Sequence, residues 1–211
     1  MQRSGVKKER IWYAGSCTLT GCYTSNPHVL ARYDIKDNDK NLALILSQFN
    51  KSNDLSYTLS CYCTEDFELH SPEPMLQTQI EISSIWSTYT AGGPIGCDSF
   101  DTNPQYSIFI PCSNTNRAQS ADIQLSVSTT ATAAVNVLLF PVQKLGDKVL
   151  NSTGGCIIDT GNYRHGFVVS NRATIPFGAY TLIVSNYHVS QTGFFTLKVS
   201  SSVENIKVEK I

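Results

Sequence analysis

The cysteine, histidine and asparagine residues of this chain could form a catalytic site for peptide hydrolysis. Such a site needs a thiolate beside a histidine that an Asn or Asp orients. The 211-residue sequence has seven cysteines and four histidines. The candidate nucleophile is Cys17, which follows Gly15-Ser16, but Thr18 stands where an aromatic residue would be expected. The residue types therefore predict no catalytic residue, and we expect no peptidase activity.

Cysteine and histidine could also bind zinc. Cys61, Cys63 and His70 would supply three ligands, and Cys17 with Cys22 would allow a four-cysteine site. Structural zinc sites favour about two to four residues between paired cysteines. One residue separates Cys61 from Cys63, and this alternation instead predicts small buried thiols on one face of a strand. No metal site is predicted.

Carboxylates and histidines suggest two further kinds of site. Calcium needs a dense cluster of hard oxygen ligands. The candidate aspartates are Asp34, Asp37, Asp39, Asp98 and Asp101. Lys36 lies among the first three and Lys40 directly follows them, which favours a solvated hairpin tip. His165 and His188 flank one strand segment and could titrate near neutral pH, although exposed loop histidines are commoner. We predict no cofactor and keep calcium as an alternative.

Composition and charge limit the class of protein. The net charge is −1 at pH 7, so no global positive field would attract nucleic acid. No apolar run approaches the ~20 residues that cross a bilayer, and the N-terminal segment lacks the apolar core of a signal peptide. We expect a cytoplasmic protein with reduced cysteines, no nucleic-acid partner and no transmembrane segment.

Alternation of apolar and polar residues predicts an all-β fold. Ser, Thr, Val, Ile, Tyr and Phe are abundant, and long runs at helical spacing are lacking. Alternating segments place every other side chain on a buried sheet face. These segments are residues 107–110, 122–128, 135–142, 166–170, 180–185 and 194–200. Turn clusters separate them, which predicts an antiparallel β-sandwich.

Glycine, proline and aromatic residues follow a distinctive order in the second half of the chain. A Trp precedes a Gly-Gly turn, and an Asn-Pro pair then opens a strand, because proline fixes φ and restricts the residue before it to extended backbone. Further along the chain, a proline-glycine turn leads into a Tyr-containing strand, and a strand that begins Gly-Phe follows. The motif residues are Trp86, Gly92, Gly93, Asn103, Pro104, Gln105, Tyr106, Gly178, Tyr180, Gly193 and Phe195.

This order of residues resembles the calpain-type β-sandwich, calpain domain III, over residues 77–202. One departure is Pro94, which stands where calpains usually have a cysteine, with Cys97 three residues on. The resemblance implies a non-catalytic piece of a cysteine protease, because calpains carry this sandwich beside a papain-like core. The sequence contains neither the Gln-Gly-x-x-Gly-Asp-Cys-Trp segment of the calpain nucleophile nor a Gly-His segment for its base.

The N-terminal third looks like a shorter copy of the same design. Trp12, Gly21-Cys22 and Asn26-Pro27 repeat the order of Trp, Gly-Gly and Asn-Pro. We therefore predict tandem modules, an abbreviated sandwich over 1–74 and a complete one over 75–211, with a proline-containing linker at the boundary. Tandem sandwiches resemble the C-terminal end of atypical calpains of the PalB type, the proteases of fungal ambient-pH signalling.

The resemblance implies an indirect function for the chain. It would position, regulate or recruit the protease core of a longer parent, which in PalB-type calpains cleaves a zinc-finger transcription factor at alkaline pH. The implied partners are that core, the transcription-factor substrate, a scaffold and ESCRT proteins on endosomal or plasma-membrane platforms. The alternative is a calcium- or phospholipid-binding module that recruits the parent to membranes. Free strand edges could also bind an extended peptide, but the sequence does not indicate which edge.

Overall fold

The computed structural model describes residues 22–36, 42–49, 54–71, 74–112, 119–130, 132–150 and 155–211. The chain divides into two units, Met1–Pro74 and Met75–Ile211. The described residues of the first unit contain no strand, and all of them except the half-buried Tyr33 are exposed. Cys61 and Cys63 are among the exposed residues, so the expectation of buried strand thiols was wrong. The abbreviated sandwich over 1–74 stays a prediction, and its Trp12 and Cys17 lie outside the described residues.

The second unit consists of antiparallel strands, and its described residues contain no α-helix. The strands are β1 Thr78–Trp86, β2 Gln105–Ile110, β3 Ser120–Thr129, β4 Ala134–Pro141, β5 Ile158–Asp159, β6 Arg164–His165, β7 Phe167–Val169, β8 Ala173–Pro176, β9 Gly178–Asn186, β10 Gly193–Ser201 and β11 Lys207–Lys210. One 3-10 turn, Phe100–Thr102, precedes β2.

Two sheets form the sandwich. Sheet A has the order β1-β10-β3-β7, and β8 also pairs with β3. Sheet B has the order β11-β2-β9-β4-β5, and β6 also pairs with β4. The neighbours in each sheet are antiparallel, and strands adjacent in a sheet are mostly distant in sequence. The predicted all-β, antiparallel sandwich is confirmed.

The core lies between the two sheets, where inward side chains of both sheets meet. In β3, for example, every second residue from Ala121 to Val127 is buried, as the alternation predicts. Strand β4 differs because nearly all its residues are buried. Its outer face carries Leu138 and Phe140, which pack with Phe100 and Ile183 in a second, smaller cluster. The 3-10 turn and the segment after β4 thus cover the outer face of sheet B.

The six alternating segments predicted from the sequence all contain strands. Strands β1 and β11 and the short strands β5, β6 and β8 were missed. In β1 the inward side chains include Ser84, whereas Ile85 points outward, so the apolar pattern is broken. In β11, Lys207 and Lys210 are exposed, yet their backbone pairs with β2 at Phe109 and Tyr106.

Candidate functional site

The Gly-Gly turn and the Asn-Pro pair meet in one hydrogen-bonded loop. The buried Asn103 accepts a hydrogen bond at Oδ1 from the Gly92 N–H, at 3.1 Å. Its Nδ2 donates to the carbonyls of Gly93 and Phe100, at 2.9 and 2.8 Å. A Cβ on Gly92 would lie 2.0 Å from the Ser99 carbonyl oxygen, so only glycine fits. The side chain of Asn103 therefore fixes the path of the loop that follows β1.

Trp86 anchors this loop to both sheets. Its Nε1 donates to the Val184 carbonyl at 3.0 Å, and its ring packs on Phe195 with centroids 4.3 Å apart. The Val184 N–H in turn donates to the Pro104 carbonyl at 3.0 Å. Gly193 lies against the indole, where a Cβ would meet the ring at 3.7 Å. Strands β1, β2, β9 and β10 are thereby joined at one end of the sandwich.

Two further motif residues support the strand that follows the Asn-Pro pair. The Gln105 amide donates to the carbonyls of Asp101 and Val149 and accepts from the Val149 N–H. Tyr106 is fully buried, and burial raises the pKa of its phenol, an effect that Ser84 opposes. Gln105 thus attaches the segment that covers sheet B to the start of β2.

Gly178 and Tyr180 lie at the opposite end of the sandwich, at the start of β9. The buried Tyr180 donates its hydroxyl to the Pro176 carbonyl at 2.6 Å, four residues upstream, as in the tyrosine corner of other β-sandwiches. Gly178 has φ +150°, a backbone conformation that L side chains rarely adopt. The motif residues therefore do not form one site, because they stabilise the two ends of the fold separately.

An exposed apolar surface covers the end where Trp86 and Asn103 lie. We call it the loop-end surface, formed by Tyr89, Ile95, Tyr187 and Val189. Tyr89 is 87% exposed. The two loops that carry these residues touch, because Ser190 N–H donates to the Ala91 carbonyl at 2.8 Å and Val189 Cγ2 lies 2.6 Å from the position of a Cβ on Gly93. Trp86 and Asn103 thus hold a patch of exposed apolar side chains on a fixed frame.

Tyr163 supports the loop-end surface from beneath. Its ring contacts Tyr187 edge to face, with centroids 5.4 Å apart, and its hydroxyl lies 2.7 Å from the Ser185 hydroxyl. Burial raises the pKa of this phenol, although hydrogen bonds with Ser185 and the backbone of Ile95 oppose the rise. On its other side, Tyr187 contacts the His188 ring at 5.1 Å. The sequence favoured an exposed loop position for His188 over a pH switch, and the structure places this residue, exposed, beside the aromatic pair.

A polar network lies behind this end of sheet B. Asp159 Oδ1 accepts hydrogen bonds from Asn136 Nδ2 and Gly161 N–H, at 2.8 and 2.7 Å. Cys156 is exposed, but partial desolvation raises the pKa of its thiol, and the negative charge of Asp159 raises it further. Cys156 therefore has low thiolate character, which is unsuited to a nucleophile.

The exposed side chains of the loop-end surface are apolar or aromatic. Across residues 75–211 the sequence has eight basic and eight acidic residues, so this unit has no net charge. Among the described residues, no group of three His, Cys, Asp or Glu side chains could hold a metal ion, and no helix is long and apolar enough to span a membrane. The chemistry of the loop-end surface is apolar contact, with aromatic rings that tend to dominate protein interfaces.

Comparison with known proteins identifies relatives for most of the chain. This chain is 27% identical over 197 residues to the calpain-like protease palB/RIM13 of Aspergillus oryzae, and the alignment covers 92% of this chain. The homologues of this chain are thus calpain-like proteases. The sequence identity to palB/RIM13 of Cryptococcus neoformans is 27% over 194 residues, and this alignment covers 90% of this chain and 23% of that protein. Human calpain-7 is 25% identical over 199 residues, with 92% of this chain and 23% of calpain-7 covered.

The calpain-like resemblance seen in the sequence is thus confirmed by these relatives. The chain spans 22% of the length of the Aspergillus oryzae protein. No protein-family profile matches the chain. The sequence singled out the motif residues because glycine, proline and tryptophan leave clear signals, and their assignment to a calpain-type motif stays a prediction. The loop-end surface was missed, and its only sequence signal is the presence of Tyr89, Ile95, Tyr187 and Val189 in segments rich in turn residues.

Proposed function

We propose that this chain is a non-catalytic regulatory and interaction region of a calpain-like cysteine protease. The observation that carries the proposal is homology to such proteases over 92% of the chain, which spans 22% of the relative. The sequence lacks the calpain nucleophile segment, and the β-sandwich presents an apolar surface on a rigid frame. The parent protease is proposed to process a zinc-finger transcription factor in the alkaline-pH response, as the PalB-type resemblance implies.

The proposed primary partner is the protease core of the parent chain, which docks on the loop-end surface. Exposed apolar residues held by buried hydrogen bonds suit such an intramolecular interface, since little side-chain or loop ordering remains to be completed on docking. A scaffold, ESCRT-associated proteins and the transcription-factor substrate are proposed as further partners. We propose a cytoplasmic location, with recruitment to endosomal or plasma-membrane ESCRT platforms.

The docking proposal is tested in the full-length parent protease with Tyr89→Ser and Val189→Ser combined. We expect weaker processing of the transcription factor, because the core would lose its contact with the sandwich. The matched control is Phe109→Ser, which removes a 37% exposed side chain from the outer face of β2. Equal processing by both variants, with unchanged melting temperatures, would contradict docking at the loop-end surface.

A second experiment tests the absence of catalysis. The isolated 211-residue chain is incubated with an unstructured protein substrate, and no cleavage is expected. Activity that persists through purification and disappears in a cysteine-to-serine variant would overturn the non-catalytic assignment.

Pelleting with phosphatidylserine vesicles, with and without calcium, tests the membrane alternative, and calcium-dependent pelleting would support that alternative instead.

A further inference from the structure

In the part of the chain that the structure describes, three of the four sheet edges carry features that hinder pairing with another strand. On sheet B, β5 and β6 have two residues each, and β11 has four residues that include Lys207 and Lys210. On sheet A, β7 and β8 are short and β8 ends at Pro176. Short strands, lysine and proline are the means by which natural sheets protect their edges. These edges are poor acceptors of an added strand.

The edge at β1 lacks this protection. It has nine residues, contains neither proline nor lysine, and within the described part of the chain pairs only with β10. Ile80 and Ile82 point inward and pack against the core, yet both remain only partly buried. A central strand would have a neighbour on each side, so the missing neighbour explains why these inward side chains stay partly exposed.

The outer face next to this edge carries an apolar pair at one end, beyond the polar residues Gln79, Glu81 and Ser83. Ile85 is 48% exposed and lies directly opposite Phe194 of β10, which is 73% exposed. Shallow grooves flank Phe194. They are lined by Ile85, by serine and threonine residues, and by Trp86, Gly193 and Phe195, with no charged lining residue. Both faces beside the β1 edge thus offer apolar contacts.

Charge indicates which kind of partner fits the edge. Glu81 is the one charged residue of β1, and it pairs with Lys198 at 3.3 Å, so the strand presents no net charge. Lys210 reaches the Ser84 hydroxyl at 3.3 Å through its side chain and does not use the β1 backbone. An uncharged segment would therefore dock without leaving a charge unpaired.

We propose that the free edge of β1 binds an extended, uncharged segment of a partner protein as a sixth strand of sheet A. Backbone hydrogen bonds would provide much of the affinity, as in other cases of strand addition. Alternate apolar side chains of the segment would cover Ile80 and Ile82, and the side chains between them would lie beside Ile85. This inference rests on the sandwich itself and does not depend on docking of the protease core at the loop-end surface.

The probe is a phage-displayed library of random nine-residue peptides, selected on the full chain and followed by synthesis of the selected sequences. We expect uncharged peptides with apolar residues at every second position. Amide exchange measured by NMR should slow at alternate residues of Thr78–Trp86, because only every second N–H of an edge strand points away from its neighbour. Docking through side chains alone would not produce this alternation.

Two β1 variants and a control make the test decisive. Ile82→Lys and Ile85→Lys should each weaken peptide binding by about tenfold or more, whereas Phe109→Lys on sheet B should leave it unchanged. Ile85→Lys changes an exposed position, so this variant still tests peptide binding if Ile82→Lys fails to fold. Selection of no alternating peptide, or binding without slowed alternate amides, would overturn the proposal. The proposal would also be overturned if amide exchange in β1 slows with rising protein concentration in the absence of peptide. A second copy of the chain would then occupy the edge.

Discussion

Two neighbouring phenylalanines of β10 provide a matched test of the core. Phe195 is 2% exposed and packs on Trp86, whereas Phe194 is 73% exposed on the outer face. Removing a buried phenylalanine costs about 3–5 kcal/mol, partly because the cavity does not collapse fully. Since the whole stability of a domain is about 5–15 kcal/mol, we expect Phe195→Ala to remove a large part of it. Phe194→Ala should change the free energy of unfolding by less than about 0.5 kcal/mol.

Urea unfolding measures this difference directly. With an m value near 2 kcal/mol per M, a loss of about 4 kcal/mol lowers the midpoint by about 2 M, against about 0.25 M for the control. Trp86 fluorescence can follow the transition in a Trp12→Phe background, because these are the two tryptophans of the chain. Equal shifts for Phe194→Ala and Phe195→Ala would refute the assignment of Phe195 to the core.

Three further predictions follow from the loop, the polar network and the two units. Asn103→Ala should leave the Gly92 N–H and the Gly93 carbonyl without their partner, costing about 2 kcal/mol or more in urea unfolding and speeding amide exchange at Gly92; an unchanged exchange rate would contradict this. Asp159→Asn should lower the pKa of the Cys156 thiol and so speed its alkylation at pH 8, measured by mass spectrometry against the other exposed cysteines; a slower reaction would show that the carboxylate does not raise this pKa. Residues 75–211 should fold cooperatively alone, whereas 1–74 should aggregate, which circular dichroism and size-exclusion chromatography would detect; a stable, monomeric 1–74 beside a disordered 75–211 would reverse the domain assignment.

The sequence alone was enough to predict the all-β class and most long strands. Strand β3 shows why, since its buried residues alternate strictly and a period of two has one structural meaning. The turn after β1 and the strand opening at Pro104 were also predicted, because Gly92 and Pro104 restrict the backbone locally. Gly92 illustrates the point, as the nearby Ser99 carbonyl leaves no room for a Cβ.

Other features were decided by contacts between residues far apart in sequence. Strand β1 was missed because Ser84 points inward and Ile85 outward, which breaks its apolar alternation. Its free edge depends on which strands become its neighbours, and β10 lies more than a hundred residues away. The loop-end surface likewise exists because Trp86 bonds to Val184 and brings two separate loops together. Local chemistry therefore determined which segments form strands and turns, whereas long-range pairing decided which edges and side chains remain exposed for a partner.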